Sequence, residues 1–391
     1  MPPHEYQRVR TEAADSGDTN YHSTVFGRPY LPYLRVDAET HTSAAQAAAA
    51  IVLASRGLSP VEISDALEAN GLDGVGTDAI TDGIEVMKVC GGITNLLFRV
   101  TGLSLLLEKG TEAIADFDDN SVLVRVFGAE GMIDRDVETS TYAALCDAGV
   151  AHRYVGRFGN GRIEGWLDSY ETLQKTDFCD AATSNAVAVE MARLHYKFRV
   201  PESLQEWHNV SEPAMWTQLH SWMDQAQSYE QFKTPEDDKR ARALDLSSIR
   251  SEISWLEDEV CPPGARVVFC HNDLLAANIM RQPATGQIQL IDFEYGGVNF
   301  VAFDVANHFN EHAGGTDDED NGVPNYALFP SKKRQEEFVR TYVRAAREIG
   351  GGSNEGVSGE EEEVRDLLVD VGAFILANHL YWGLWAVNQV R

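Results

Sequence analysis

The stretch 266–293 holds the residues best suited to chemistry in this 391-residue chain. Four residues separate Asp273, in His271-Asn272-Asp273, from Asn278, and Asp292-Phe293-Glu294 follows. Val267-Val268-Phe269 precedes the first group and the apolar run 288–291 precedes the second, so each group sits where a short strand would end. Two strands would thereby bring an Asp-x4-Asn loop and a second Asp to one place. Phosphoryl transfer needs such a grouping. One carboxylate orients an attacking hydroxyl and accepts its proton, while an amide oxygen and a second carboxylate hold magnesium on nucleotide phosphates. Taken singly, Asp273 and Asn278 would read as helix caps and Asp292 as a turn residue. The ordered set with its strand contexts points to chemistry.

The rest of the chain must position these groups. Its length suits two or three domains or one two-lobed enzyme. With 43% hydrophobic and 24% charged residues it can bury a sizeable core. Lys and Arg total 32 against 61 Asp and Glu, a net charge of −29. That balance argues against non-specific binding to nucleic acid or to anionic membrane, and any phosphate site must gather its cations locally. Five cysteines with no C-x-x-C pair argue against a disulfide framework or structural zinc, and for a reducing, cytoplasmic setting. The first twenty residues lack the apolar core of a signal peptide. Residues 44–54 are too few to span a bilayer, and 371–390 are interrupted by Asn378, His379, Asn388 and Gln389, so no stable membrane insertion is expected.

Residues 1–42 read as a polar, mobile arm. From Ser43 an alanine-rich run and then Ser59-Pro60 with Glu62 predict two helices with a break between them. The runs 84–89, 96–100 and 122–127 predict strands, 137–148 a helix, and 163–167 a closing strand. Beyond Asp168 the pattern turns helical, over 182–197, 216–226 and 246–259, interrupted by the β-rich island described above. That island reads as a strand over 267–270, a loop and helix turn over 271–279, a turn at Thr285-Gly286 and a strand over 287–293. The acidic runs 316–321 and 360–363 read as solvated loops. The resulting domains are the arm, 43–167 and 168–391.

Longer motifs now stand out. Val268-Phe269-Cys270-His271-Asn272-Asp273-Leu274-Leu275 with Asn278-Ile279 resembles the signature of the choline/ethanolamine kinases. So do Leu290-Ile291-Asp292-Phe293-Glu294-Tyr295, 303–311 and His379-Leu380-Tyr381-Trp382-Gly383-Leu384-Trp385-Ala386. The likeness extends N-terminally through Gly92-Ile93-Thr94-Asn95 and 122–128, covering roughly residue 84 to the end. The Leu-Leu after Asp273, Asn310-Glu311 and Ala313-Gly314 resemble ethanolamine kinases more than choline kinases.

The resemblance implies an α+β, bilobal protein-kinase-like fold: a small β-rich N-lobe, a larger mostly helical C-lobe, and ATP and Mg2+ in the cleft. Asp273 matches the catalytic Asp, Asn278 and Asp292 the metal ligands, with Glu294 assisting. Gly92, Ile93, Thr94 and Asn95 match the turn over the nucleotide phosphates. Arg125 lies where protein kinases place the phosphate-binding Lys, a role that a guanidinium can fill bidentately, and Glu138 on the next helix is the carboxylate to fix it. Glu164, Gly165 and Trp166 fall in the hinge that meets adenine, largely through backbone groups. Gly165 stands where the family more often has a polar residue. Asp304 is expected to anchor the catalytic loop, and His271 and His308 to be buried hydrogen-bonding residues.

Ethanolamine carries a cation at one end and the reacting hydroxyl at the other. Its site should be anionic, with Glu311 the partner for the ammonium and Trp382 and Trp385, sharing a helix face, offering aromatic surface. The acidic, Gly-rich 314–325, where choline kinases place aromatics, favours a primary ammonium over a quaternary one. Family members continue past the position of Arg391 with an aromatic segment that helps to close the pocket, so a weaker cage is expected. The expected activity is the phosphorylation of ethanolamine, the first step of the CDP-ethanolamine route to phosphatidylethanolamine. The competing readings are choline kinase, an aminoglycoside phosphotransferase-like enzyme and a silent pseudokinase scaffold. The last is disfavoured because Asp273, Asn278 and Asp292 are all present. A small amino alcohol is the expected partner, nucleic acid is not, and a homodimer is left open.

Overall fold

A computed structural model describes residues 23–25, 27–37, 40–72, 83–89, 95–104, 106, 120–128, 134–229, 232–315, 323–350 and 357–389. The chain divides into two compact units. One takes residues up to 169 with 201–204, the other 170–200 with 205 onward.

The N-terminal unit is built on a seven-stranded sheet. In chain order its elements are β1 (Ser23–Val25), β2 (Arg28–Leu31), α1 (His41–Ser55), α2 (Pro60–Ala69), β3 (Glu85–Val89), β4 (Asn95–Thr101), β5 (Ser121–Phe127), α3 (Arg135–Asp147), β6 (Tyr154–Phe158) and β7 (Gly161–Gly165). The strand order is β1-β2-β6-β7-β5-β4-β3, antiparallel except where β2 runs parallel to β6. Alanines of α1 let it lie close on the sheet, and Ile51, Val52 and Leu53 join Phe98, Val122, Val124 and Phe158 in the core. Ser59 caps α2 as its sequence suggests: its Oγ accepts from Glu62 N–H while the Glu62 carboxylate accepts from Ser59 N–H at 2.8 Å.

The expectation of a mobile arm through residue 42 fails for 28–31. Tyr30 and Leu31 are buried, and β2 pairs with Arg157 and Phe158 of β6. Polar flanks hid a four-residue strand. β6 itself, Tyr-Val-Gly-Arg-Phe, is buried along its whole length and so lacks the alternation that marks a half-exposed strand.

The C-terminal unit begins with β8 (Glu171–Thr172) and α4 (Ala181–Lys197). Helices α5 (Ala214–Ser228), α6 (Pro235–Ala243) and α7 (Leu246–Trp255) follow. The island is β9 (Val267–Cys270), β10 (Ile279–Arg281), β11 (Ile288–Leu290) and β12 (Gly297–Phe300), and α8 (Val301–Glu311), α9 (Lys332–Ile349) and α10 (Val357–Gln389) complete the unit. β9 pairs with β12, while β10 lies between β11 and β8. The register sets the end of β9 against the start of β12 and the start of β10 against the end of β11, so the connections 271–278 and 291–296 each join one strand pair to the other.

Residues 360–363 are helix and not loop, although 361–363 are exposed as expected. They open α10, where Glu360 receives Arg344 Nε at 2.8 Å and Glu363 receives Arg347 at 3.1 Å, and Glu361 pairs with Arg340. Three arginines spaced along α9 convert an acidic run into a helix start, where negative charge also suits the backbone dipole. The other acidic run, 316–321, lies outside the described residues. α10 is long and apolar enough by length and composition to cross a membrane, and its buried Val371, Phe374 and Tyr381 lie in a helix that packs on α5, α8 and α9. The Phe374 ring is fully buried, with its centroid 4.9 Å from that of Phe300. Phe374→Ala is expected to cost about 3–5 kcal/mol through the cavity it leaves, read as a lowered denaturation midpoint with an unchanged m-value.

Candidate active site

The loop 271–278 joins β9 to β10, and its shape is imposed by α8. Asp304, fully buried in the first turn of α8, accepts the His271 N–H on Oδ2 at 2.9 Å and the Asn272 N–H on Oδ1 at 2.7 Å. One turn on, Asn307 Oδ1 accepts the Leu274 N–H at 2.5 Å, and His308 Nδ1 lies 3.3 Å from the Leu274 carbonyl. The three side chains share one helix face by their spacing. Asp304 thus anchors the loop. Burial would raise its pKa, but the bonds from His195 and His271 hold it below the usual carboxylate value.

Asn272 stands in the left-handed region at φ +68°. Its side chain is fixed from both ends, donating to the Tyr295 carbonyl at 2.9 Å and accepting from Asn299 Nδ2 at 2.8 Å. Asn278 Nδ2 donates to both the carbonyl and Oδ2 of Asp273, each at 2.9 Å, which leaves the Asn278 carbonyl oxygen as its ligand atom. Ile291 N donates to the Asn278 backbone carbonyl at 3.0 Å, extending the β10–β11 pairing to the end of the loop. Asp292 follows at once, also left-handed at φ +62°. His271 Nε2 lies 2.9 Å from the Ile291 carbonyl, so both histidines are buried hydrogen-bonding groups.

The electrostatics show that the carboxylates converge. Burial, then Glu311, Asp292 and Glu294 in that order, push the Asp273 carboxyl well above its ordinary value. Glu311, at the end of α8, is pushed up to about 7 by burial. Acidic groups gathered in this way form a donor set suited to a divalent ion and an ammonium. Asn278, Asp292 and Glu294 are the residues that could hold such an ion.

Tyr295 is the residue that the sequence reading passed over. Its hydroxyl accepts from Trp385 Nε1 at 2.9 Å, and its ring meets Trp382 edge-on at 5.2 Å. Trp382 and Trp385 meet each other at 5.6 Å. Burial and then Glu294 raise the Tyr295 phenol, with Asp273 and Asp292 also contributing, so this aromatic corner borders the acidic group. A Tyr three residues past Asp292 was the available signal.

In the N-terminal unit, Gly92, Ile93 and Thr94 lie outside the described residues. Asn95 is buried at the start of β4, opposite Phe127. Arg125 is buried and donates from Nε to Glu164 at 2.8 Å. Glu164 also receives Arg162 Nε at 2.7 Å, and Glu138 receives Arg162 at 2.7 Å and Arg135 at 2.8 Å. The carboxylate lying against the Arg125 Nε is thus Glu164, whose side chain belongs to this ionic cluster. Glu138 is coupled to the same cations: burial opposes its ionisation, but Arg162, Arg125 and Arg135 hold its pKa below normal. Trp166 carries the Arg99 guanidinium 4.5 Å above its ring. A side chain at Gly165 would meet the His152 ring at 2.8 Å, which explains glycine there.

A loop with an Asp-x4-Asn pair, pinned by a helix and followed by an Asp just past β11, in a mostly helical unit that follows a seven-stranded one, defines a protein-kinase-like phosphotransferase. A family model described as choline/ethanolamine kinase matches residues 86–391, and the chain belongs to that family. A protein of Arabidopsis thaliana described as a probable ethanolamine kinase is 32% identical over 308 residues, spanning 78% of this chain and 73% of its own. A probable choline kinase of the same plant is 31% identical over 331 residues, spanning 84% and 85%. The solved ethanolamine kinase of Plasmodium vivax, 23% identical, matches the fold with a TM-score of 0.63 over 84% of this chain and 82% of that one.

Burial would raise the Glu164 carboxyl, but Arg125 and Arg162 bring it from 4.5 down to about 2. A depressed carboxylate contributes stability that is present above its unfolded pKa and lost as pH falls through the folded one. Between pH 4.5 and about 2 the chain should therefore lose stability that a Glu164→Gln variant no longer has to lose. At neutral pH that variant should be destabilised by about 3–5 kcal/mol, since it leaves buried guanidinium charge uncompensated. Urea titrations across pH read both effects.

Proposed function

We propose that this kinase is an ATP- and magnesium-dependent ethanolamine kinase that forms phosphoethanolamine. The observation that carries the reading is the convergence of Glu311, Asp292 and Glu294 on Asp273 beside the Tyr295–Trp382–Trp385 corner. Asp273 receives the hydroxyl of the amino alcohol and takes its proton as the oxygen bonds to the γ-phosphorus and the bond to ADP breaks. The bond from Asn278 Nδ2 holds that carboxylate in one orientation. Magnesium, when bound by Asn278, Asp292 and Glu294, would neutralise charge on the phosphates. Glu311 receives the ammonium, and a primary ammonium can donate to more than one carboxylate, as a quaternary one cannot. The aromatic corner is the feature that favours choline as a second substrate, since ring faces attract cations without needing N–H donors. Relatives named for each activity fit that division.

A coupled assay with ethanolamine, choline and an aminoglycoside ranks the readings, and ethanolamine should give the highest kcat/KM. Choline turning over faster would replace the substrate assignment. Asp273→Asn should lower kcat by about 10³-fold or more while ADP still binds. Glu311→Gln should raise KM for ethanolamine about 10–100-fold, the loss of one charge-assisted contact, with a smaller effect on choline.

A further inference from the structure

We propose that His195 is a positioning residue for phosphoryl transfer, acting with Tyr342 through Asp304 on the loop that carries Asp273; this rests on the assignment of Asp273 as acceptor of the hydroxyl proton. His195 lies near the end of α4 and is 1% exposed, as is Tyr342 on α9. The His195 Nε2 is 2.9 Å from Asp304 Oδ2, and its Nδ1 is 2.8 Å from the Tyr342 hydroxyl. An ionised carboxylate only accepts, so Nε2 carries the proton, and in the neutral ring Nδ1 receives the Tyr342 O–H. The Tyr342 ring lies beside that of Tyr196, with centroids 6.3 Å apart, and the Tyr196 hydroxyl accepts Arg266 Nη1 at 2.8 Å. The donors run one way, from Tyr342 through His195 to Asp304, and the loop amides converge there.

Asp304 has few ways to stay in place without His195. Its Oδ1 serves the Asn272 N–H, and its Oδ2 is shared by the His271 N–H and His195. Once the imidazole is removed, that carboxylate has no side-chain donor left among the described residues, and rotation about χ2 would carry both amides with it. Asn272, next to Asp273, is left-handed. The loop's own backbone preference therefore does not restore the geometry. Nucleotide and amine, by contrast, are held by other residues. Loss of His195 should consequently appear in turnover and not in binding.

His195, Cys270 and Asp304 also place their ligand atoms within 4.8 Å of one another, the spacing of a metal site. The bonding argues otherwise. Burial keeps the Cys270 thiol protonated, and its Sγ lies 3.5 Å from the Phe300 carbonyl. Asp304 already has three N–H donors. The trio is a hydrogen-bond node.

Steady-state kinetics with ATP and ethanolamine, together with melting temperatures, test the proposal. His195→Ala should lower kcat roughly 10–100-fold with both KM values within about twofold. His195→Gln, whose amide can donate to Asp304 from a similar distance, should recover most of that loss. Tyr342→Phe removes only a hydroxyl and should lower kcat about 3–10-fold with little change in melting temperature. It decides the matter if His195→Ala fails to fold. Parental kcat in His195→Ala or in Tyr342→Phe overturns the proposal, as does a His195→Gln variant no better than alanine. Asp273→Asn separates the two claims. Turnover retained there removes the underlying assignment, whereas turnover lost there but kept in the His195 and Tyr342 variants overturns the relay alone.

Discussion

The C-terminal unit depends on one buried carboxylate. Asp304 is fully buried on α8, where an unpaired charge would cost several kcal/mol, and it is tolerated because both oxygens accept N–H groups. Two of those donors are the backbone amides of His271 and Asn272, which have no strand partner once β9 ends at Cys270. The arrangement solves two problems together. The helix acquires a satisfied charge, and the loop acquires a fixed path that no regular element could give it. Everything placed further along, from Asp273 to the Asn278 amide that returns to it, inherits that path.

The N-terminal unit carries its own buried charges, and they are balanced differently. Around Glu138 and Glu164 stand Arg125, Arg135 and Arg162, so three guanidinium groups face two carboxylates. In a chain of net charge −29 such a concentration of cations is local by construction. Sequence placed Arg125 and Glu138 in one functional unit, and the structure widens that pair into a five-membered network with Glu164 at its centre. Arg162 is the joint: it touches both carboxylates, and its guanidinium lies 4.4 Å above the Tyr142 ring. A planar, delocalised cation can meet all three, which a lysine ammonium could not do.

Legibility in the sequence followed the kind of constraint. The catalytic loop was readable because Asp273, Asn278 and Asp292 are required by type and spacing, and strands flank them. The capped start of α2 was readable because Ser59, Pro60 and Glu62 state it locally. β6 and β12 were not, since strands buried along both faces show no alternation and their identity comes from pairing. α9 escaped although Phe338, Val339, Tyr342 and Val343 mark a buried face, because charged residues dominate the rest of it. The acidic start of α10 was misread for a related reason. A run of glutamates looks like a loop until arginines of the preceding helix neutralise it, although the run stays exposed. Tyr295 and His195 were missed as functional because their roles lie in partners 90 and 109 residues away.

Substrate choice follows from how two attractions combine at one place. The carboxylates around Asp273 attract any cation, and so does the aromatic corner, so neither alone separates a primary from a quaternary ammonium. Their geometry does. Trp385 Nε1 is spent on the Tyr295 hydroxyl, which fixes the phenol edge-on to both tryptophan rings. A trimethylammonium group would rest on ring faces and leave Glu311 without a donor. A primary ammonium is small enough to reach Glu311, and its three N–H groups satisfy a carboxyl that burial otherwise holds near neutrality, at a pKa of about 7. On the proposed reading, a preference for ethanolamine would rest on Glu311 being ionised when the substrate arrives, and the ammonium itself would favour that state by lowering the carboxyl's pKa. Binding and ionisation reinforce one another, a coupling that a quaternary ammonium, with no N–H donors, reproduces only through its charge.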